Sequence, residues 1–257
     1  MADSDKQGGA ANHFAQAVEL TTATYDQAAR NYAERNEALR DAWADRQAQF
    51  VALLDDAQQR HPIADLGRPG DDITLEEYLS FVPVLDAGCG PGRDARALAG
   101  FDLPVLGIDL SQGMLDAAGE RTARRLPHGA VRYALMDMRR LELPDASCRG
   151  VWCSASLLHL PKRVAPRAMG ELARVLRLGG PLALFVKRRE GAVEQELQPY
   201  PFGDVASTPR FFAYYTLDEA RALVEAAGLE VIEASITPDS RPGAPSWVVI
   251  LARKPER

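Results

Sequence analysis

Long apolar runs are missing from this chain of 257 residues. None approaches the roughly 20 residues that a membrane-spanning helix needs, so no membrane partner is expected. The opening MADSDKQGGAANHF lacks the apolar stretch of a secretory signal and reads as a flexible tail over residues 1–20. Cysteine is scarce. Cys89, Cys148 and Cys153 form no C-x-x-C pair, which argues against a disulfide framework or zinc site and for a reducing, cytoplasmic setting. His13, His61, His128 and His159 lie far apart and lack ligand spacing, so no metal is expected. Positive charge is in deficit, with 30 Lys and Arg against 36 Asp and Glu and a net charge of −6. The short basic clusters RTARR, MDMRR and VKRRE have acids around them and read as solvated faces, so nucleic acid is not an expected partner. There is no G-x-x-x-x-G-K-[ST] loop for a triphosphate.

What is present is an ordinary globular composition, 46% hydrophobic and 26% charged, long enough for one α/β domain with additions. Residues 24 to about 59 read as helix. Thr24 and Gln27 fit a capping box, Tyr25, Ala28, Ala29 and Tyr32 share a face, and Leu39, Trp43, Phe50 and Leu54 continue the apolar stripe. HPIADLGRPGDD is a loop, and Thr74 with Glu77 opens a short helix. From residue 82 the apolar runs VPVLDA, LPVLGIDL, AVRYALMD, GVWCSASLL and PLALFVKR alternate with helix-length segments, the pattern of a parallel sheet covered on both faces. Residues 190–215 break it with a Pro-, Gly- and aromatic-rich stretch too long for an ordinary connection, which reads as a lid or binding loop. Thr216 and Glu219 then open a helix. Only TPDSRPGAP separates the last two strands, LEVIEASI and SWVVILAR, so they must pair antiparallel if they pair at all. The expected fold is α/β: a Rossmann-like, doubly wound mixed sheet of seven strands, with an antiparallel C-terminal strand and a helical N-terminal cover over residues 21–81.

Open α/β sheets bind ligands at the carboxyl ends of their strands, which directs attention to VLDAGCGPGRDA, residues 84–95. Gly88, Gly90 and Gly92 permit close backbone approach. In the dinucleotide register G-x-G-x-x-G, Arg93 takes the place of the third glycine. Asp86, just before the turn, would repel a pyrophosphate and attract an ammonium or sulfonium. Asp109 ends the second strand at a position suited to both ribose hydroxyls. Asp137 follows the third strand, where a carboxylate can accept from an adenine amino group while Met136 or Met138 packs on the ring. The set asks for adenine, ribose, no phosphate and a positive charge, which S-adenosylmethionine combines.

VLDAGCGPGRDA, GIDLS, MDM, GVWCSASLLHLP and ARVLRLGG, in this order over residues 82 to about 188, resemble the successive motifs of class I S-adenosylmethionine-dependent methyltransferases. TYDQAARNYAERNEAL and RFFAYYTLDEARALVEAAGLEVIE resemble a bacterial subgroup acting on small molecules. The segment at about 55–80 and residues 190–215 depart from the pattern and leave the substrate open. The resemblance implies a methyltransferase domain over residues 82–257, S-adenosylmethionine as cofactor, S-adenosylhomocysteine as product, and in-line transfer to a small-molecule O, N or C nucleophile. It implies a cofactor set of Asp86, Gly88, Cys89, Gly90, Gly92, Arg93, Asp109, Leu110, Met114, Asp137, Met138 and Ser154, with Arg93 pairing with the cofactor carboxylate or lying solvated. Tyr25 and Tyr32 are expected to contact the cofactor by packing on the sulfonium. His159 is the candidate base, and Cys153 reads as a small buried residue. Tyr200, Phe211, Phe212, Tyr214, Tyr215, Lys187 and Arg188 are the candidate substrate residues. A monomer or homodimer fits. Cyclisation or carboxymethyl transfer with the same cofactor, and a nicotinamide-dependent reductase, stay open as alternatives.

Overall fold

The computed structural model describes all residues except 1–4, 38–42, 71, 203–207, 240–243 and 257, and gives only the helical backbone for 5–15. Helix α1 (Asp5–Glu37) is followed by α2 (Ala44–Arg60) and the short α3 (Leu75–Leu79). The alternating part runs β1 (Val84–Ala87), α4 (Arg93–Ala99), β2 (Val105–Asp109), α5 (Gln112–Ala123), β3 (Val131–Leu135), β4 (Gly150–Ser154), α6 (Ala165–Val175) and β5 (Pro181–Lys187). It continues through β6 (Gln195–Pro199), β7 (Pro209–Ala213), α7 (Leu217–Ala226), β8 (Glu230–Thr237) and β9 (Trp247–Arg253).

Seven strands form one sheet in the order β3-β2-β1-β4-β5-β9-β8. The first five run parallel, and β9 lies antiparallel between β5 and β8. The apolar runs of β1, β4 and β5 are buried along their whole length, as strands covered on both faces must be. Leu85 joins α6 and α7 in one core, with Met169, Leu172 and Val224. Val84 joins α2 and α4 in the other, with Phe50, Leu54, Leu98 and Trp152. Strand order reverses between β1 and β4, so a crevice opens at their carboxyl ends. Strands β6 and β7 pair as a separate antiparallel hairpin.

Two expectations need correction. The single helix read over 24–59 is two helices, and the first begins at Asp5, inside the expected tail. Thr24 caps nothing: it lies within α1, and its hydroxyl donates to the Pro209 carbonyl at 2.8 Å. Trp43 sits at the head of α2 instead, its ring 4.7 Å from that of Phe185. The capping boxes at Thr74/Glu77 and Thr216/Glu219 do form. The departing segment before β1 is anchored by Tyr78, whose hydroxyl donates to the Val105 carbonyl at 2.9 Å. No described helix is long and apolar enough to cross a membrane.

Candidate active site

The turn after β1 needs its glycines for two different reasons. Gly88 has φ +75°, and a Cβ there would lie 2.2 Å from the Ser156 Cβ, so this position admits no side chain. Gly92 has φ +73° and heads α4 against Tyr133. It lines neither cavity described below, and it shapes the turn. Asp109 is tied to the turn. One carboxylate oxygen accepts from the Gly90 amide at 2.8 Å and the other from the Ser111 amide at 2.9 Å. Burial nonetheless raises its pKa, against the pull of those amides.

Asp86 is the electrostatic anomaly. It is buried, and its Oδ2 has no hydrogen-bond partner within the protein. Burial, then the nearby Asp94, hold its pKa well above the ordinary carboxylate value. Asp94 is better served. Burial would raise it too, but Arg93 outweighs that with a bidentate pair at 2.8 and 2.9 Å, helped by the Trp152 indole N–H at 3.1 Å. Arg93 is therefore not a solvated residue of the first helical turn: it is drawn to Asp94 through Nε and Nη2 and lines the larger cavity described below.

Two cavities meet at this turn. The smaller is lined by Asp109, Leu110, Met114, Met136 and Met138, with Val18 and Thr22 of α1. The larger takes in Asp86, Cys89, Arg93 and Ser154 at one end and Lys187 and Trp247 at the other. Tyr25, Tyr32, Gly88, Gly90, Ala155 and His159 belong to both linings and form the junction. Asp137 lies outside both. Its carboxylate is engaged by the Arg139 side chain at 2.6–3.0 Å, while the methionines on either side line the cleft.

At the junction His159 Nδ1 lies 2.7 Å from the Phe211 carbonyl, which can only accept, so Nδ1 carries the proton. Nε2 is then an acceptor, and the Tyr25 hydroxyl donates to it at 2.8 Å. Burial lowers the His159 pKa to about 4, so the ring is neutral at physiological pH. Burial also raises the Tyr25 phenol. Tyr25 and Tyr32 meet edge to face, with centroids 5.4 Å apart. Cys153 is buried beside Ser156, its thiol pushed up to about 11 by that burial, as befits a packing residue.

The hairpin supplies the remaining wall, and its strand period sorts the candidate substrate residues. Arg210, Phe212 and Tyr214 line the larger cavity. Phe211 and Tyr215 point the other way, into the core. Tyr200 is buried without lining either cavity, and the Arg188 amide donates to the Ser246 carbonyl while its neighbours Lys187 and Arg189 bond the Tyr215 backbone. Lys187 does line the cavity, but its ammonium is paired with Asp239 at 2.5 Å and the Pro245 carbonyl at 2.7 Å. Arg210 and Gln198 were missed by the sequence reading. Counting alternate residues through RFFAYY would have separated lining from core. Among the described residues no group of three or more His, Cys, Asp or Glu is placed to hold a metal ion.

Comparison with known proteins bears directly on this arrangement. A family model described as a methyltransferase domain matches residues 84–180. Methyltransferase GfsG of Streptomyces halstedii is 30% identical over 220 residues, which cover 84% of this chain and 77% of that protein. The 27-O-demethylrifamycin SV methyltransferase of Amycolatopsis mediterranei is 34% identical over 172 residues, 64% of this chain and 59% of that protein. Among solved structures, the Burkholderia thailandensis 1,6-didemethyltoxoflavin-N1-methyltransferase, with 1,6-didemethyltoxoflavin and S-adenosylhomocysteine bound, shares the fold. Its TM-score is 0.58 at 22% identity, covering 91% of this chain and 88% of that one.

Proposed function

This chain belongs to the class I S-adenosylmethionine-dependent methyltransferases, and from that premise we propose how its two joined cavities divide the reaction. Membership removes the reductase alternative and makes the protein an enzyme that transfers a methyl group from S-adenosylmethionine to a small-molecule acceptor. Asp109 would hold the ribose hydroxyls, and Leu110, Met114, Met136 and Met138 the adenine. The fit at the other end rests on Asp86, whose buried, unpartnered oxygen is what an ammonium group would satisfy. When bound, the cofactor supplies an electrophilic methyl on a sulfonium. Tyr25 and Tyr32 offer that cation their rings at the junction.

The acceptor would enter the larger cavity and meet His159. We assign it an oxygen nucleophile, in keeping with a relative named for a 27-O-demethylated substrate. Nε2 takes the acceptor's proton in place of the one offered by Tyr25, while Nδ1 stays fixed to the Phe211 carbonyl. A base with a pKa of about 4 holds a proton poorly. Its transfer must therefore accompany bond formation to the methyl and cannot run ahead of it. Alignment by the enclosing walls supplies much of the remaining rate. In this reading α1 covers the site, the β6–β7 hairpin gives it its substrate wall, and a monomer or homodimer in the cytoplasm carries it. The segment before β1 packs instead at the opposite, amino-terminal ends of the strands, so the expected cover narrows to α1.

The observation that carries the assignment is Nε2 of a neutral His159 facing the junction. Methyl-labelled S-adenosylmethionine, incubated with the protein and a panel of phenols and enols, tests it. Label is expected in a low-mass product, with His159→Gln lowering kcat by about 10²–10⁴-fold and leaving S-adenosylhomocysteine affinity within about twofold. Label found on macromolecules, or a variant as fast as the parent, contradicts it.

A further inference from the structure

Three cationic side chains among the described residues line the larger cavity: Arg93, Lys187 and Arg210. Arg93 is paired with Asp94 and Lys187 with Asp239. Arg210 has no carboxylate partner among the described residues. Its guanidinium centre lies 5.0 Å from the Tyr200 ring centroid, 5.1 Å from Phe212 and 6.0 Å from Tyr25. Its Nε is buried without an acceptor. The carboxylate on the neighbouring strand, Glu196, is engaged by the Tyr214 hydroxyl and the Gln198 amide, both donating to it.

A guanidinium stays charged at any working pH. Aromatic faces compensate its lost hydration only in part, and a buried N–H without an acceptor carries a further penalty. A planar anion entering the cavity would satisfy both, because a carboxylate matches the guanidinium fork. Position points the same way. Arg210 is on the hairpin wall with Phe212, whose ring lies 4.8 Å from that of His159. An anion held there would sit beside the Tyr25–His159 pair. Resting on the cofactor reading above, we propose that Arg210 is the recognition site for a carboxylate on the methyl acceptor, so that the substrate is a conjugated or aromatic acid whose nucleophilic oxygen is a second group.

The same chemistry could serve the amino-acid end of the cofactor, and the test separates the two sources. Full-length protein is titrated calorimetrically with S-adenosylhomocysteine, and the loaded protein then with matched pairs: benzoate and benzamide, 4-hydroxycinnamate and its amide, 2-naphthoate and its amide. At least one acid is expected to bind about tenfold more tightly than its amide. Arg210→Gln should abolish that preference with S-adenosylhomocysteine affinity within about twofold, and Arg210→Lys should keep part of it. Equal binding of acid and amide across the panel overturns the proposal, as does a preference that survives Arg210→Gln. A tenfold loss of S-adenosylhomocysteine affinity in Arg210→Gln also overturns it, by giving the guanidinium to the cofactor. If Arg210→Gln does not fold, the preference in wild-type protein must weaken with added salt and a salt-independent preference overturns the idea. Failure of wild-type protein to bind S-adenosylhomocysteine is read before any acid is added, and it overturns the cofactor reading itself.

Discussion

Asp86 is buried and His159 partly buried beside the same turn, and loss of water moves their pKa values in opposite directions. The imidazole is held neutral, with a pKa of about 4 against an unfolded value near 6.5. Between those values the unfolded chain binds more protons than the folded one, so stability is complete above about pH 6.5 and falls as pH drops toward 4. The loss should reach about 2 kcal/mol by pH 4.5, and His159→Gln should remove that part of it. Urea midpoints at pH 7 and pH 4.5 measure both. The acid limb of kcat/KM should likewise lie well below 6.5, and a limb at 6.5 would contradict a neutral, partly buried base. Asp86 has the other sign. Its carboxyl is raised, so its ionised form works against the apoprotein at neutral pH. Asp86→Asn should therefore stabilise the empty protein by about 1 kcal/mol, seen as a higher melting temperature, while weakening cofactor binding. At this scale the sequence was informative about placement: Asp86, Gly88 and Asp109 do come together at the turn after β1, as their spacing implied. It did not show that Arg139 captures the Asp137 carboxylate, or that Arg93 pairs with Asp94, because such capture by a neighbouring opposite charge is a local choice of side-chain conformation. No spacing rule distinguishes a captured acid from a waiting one.

The elements that close the site are joined by polar contacts, among them one buried and one exposed. The Phe211 amide of β7 donates to the Thr21 hydroxyl of α1 at 2.9 Å, and Asp26 of α1 accepts from the Gly113 amide of α5 at 3.0 Å. Thr21→Val keeps the shape and strands the Phe211 N–H, which should cost about 1–3 kcal/mol, read from urea unfolding. A change within about 0.3 kcal/mol would show that α1 is not fastened there. The face of α1 bearing Tyr25 and Tyr32 was legible from its helical period. Its start was not, because a threonine followed three residues later by glutamine looks the same whether it caps a helix or hydrogen-bonds a distant strand. The break before α2 was hidden for a similar reason. Trp43 continues the apolar stripe, yet it is placed by Phe185 and Trp247, which lie far away in sequence.

Across the whole molecule, alternating apolar runs and capped helices specify the sheet, and the short link before β9 specifies its antiparallel end. The sheet was therefore readable in advance. The β6–β7 hairpin was not: QELQP has no apolar alternation, and its pairing with PRFFA is a tertiary choice. The central claim is that the turn between β1 and α4, flanked by Asp86 and Asp109, holds an adenosyl sulfonium cofactor under α1. Calorimetric titration of stripped protein with S-adenosylmethionine and S-adenosylhomocysteine, repeated with Asp109→Ala and Asp86→Asn, tests it most directly. The account predicts one-to-one micromolar binding of both compounds and a loss of roughly 100-fold or more in Asp109→Ala, consistent with removing a pair of charge-assisted hydrogen bonds. Asp86→Asn should weaken binding despite its higher melting temperature. Absence of binding by the wild-type protein, or undiminished binding by both folded variants, would contradict it.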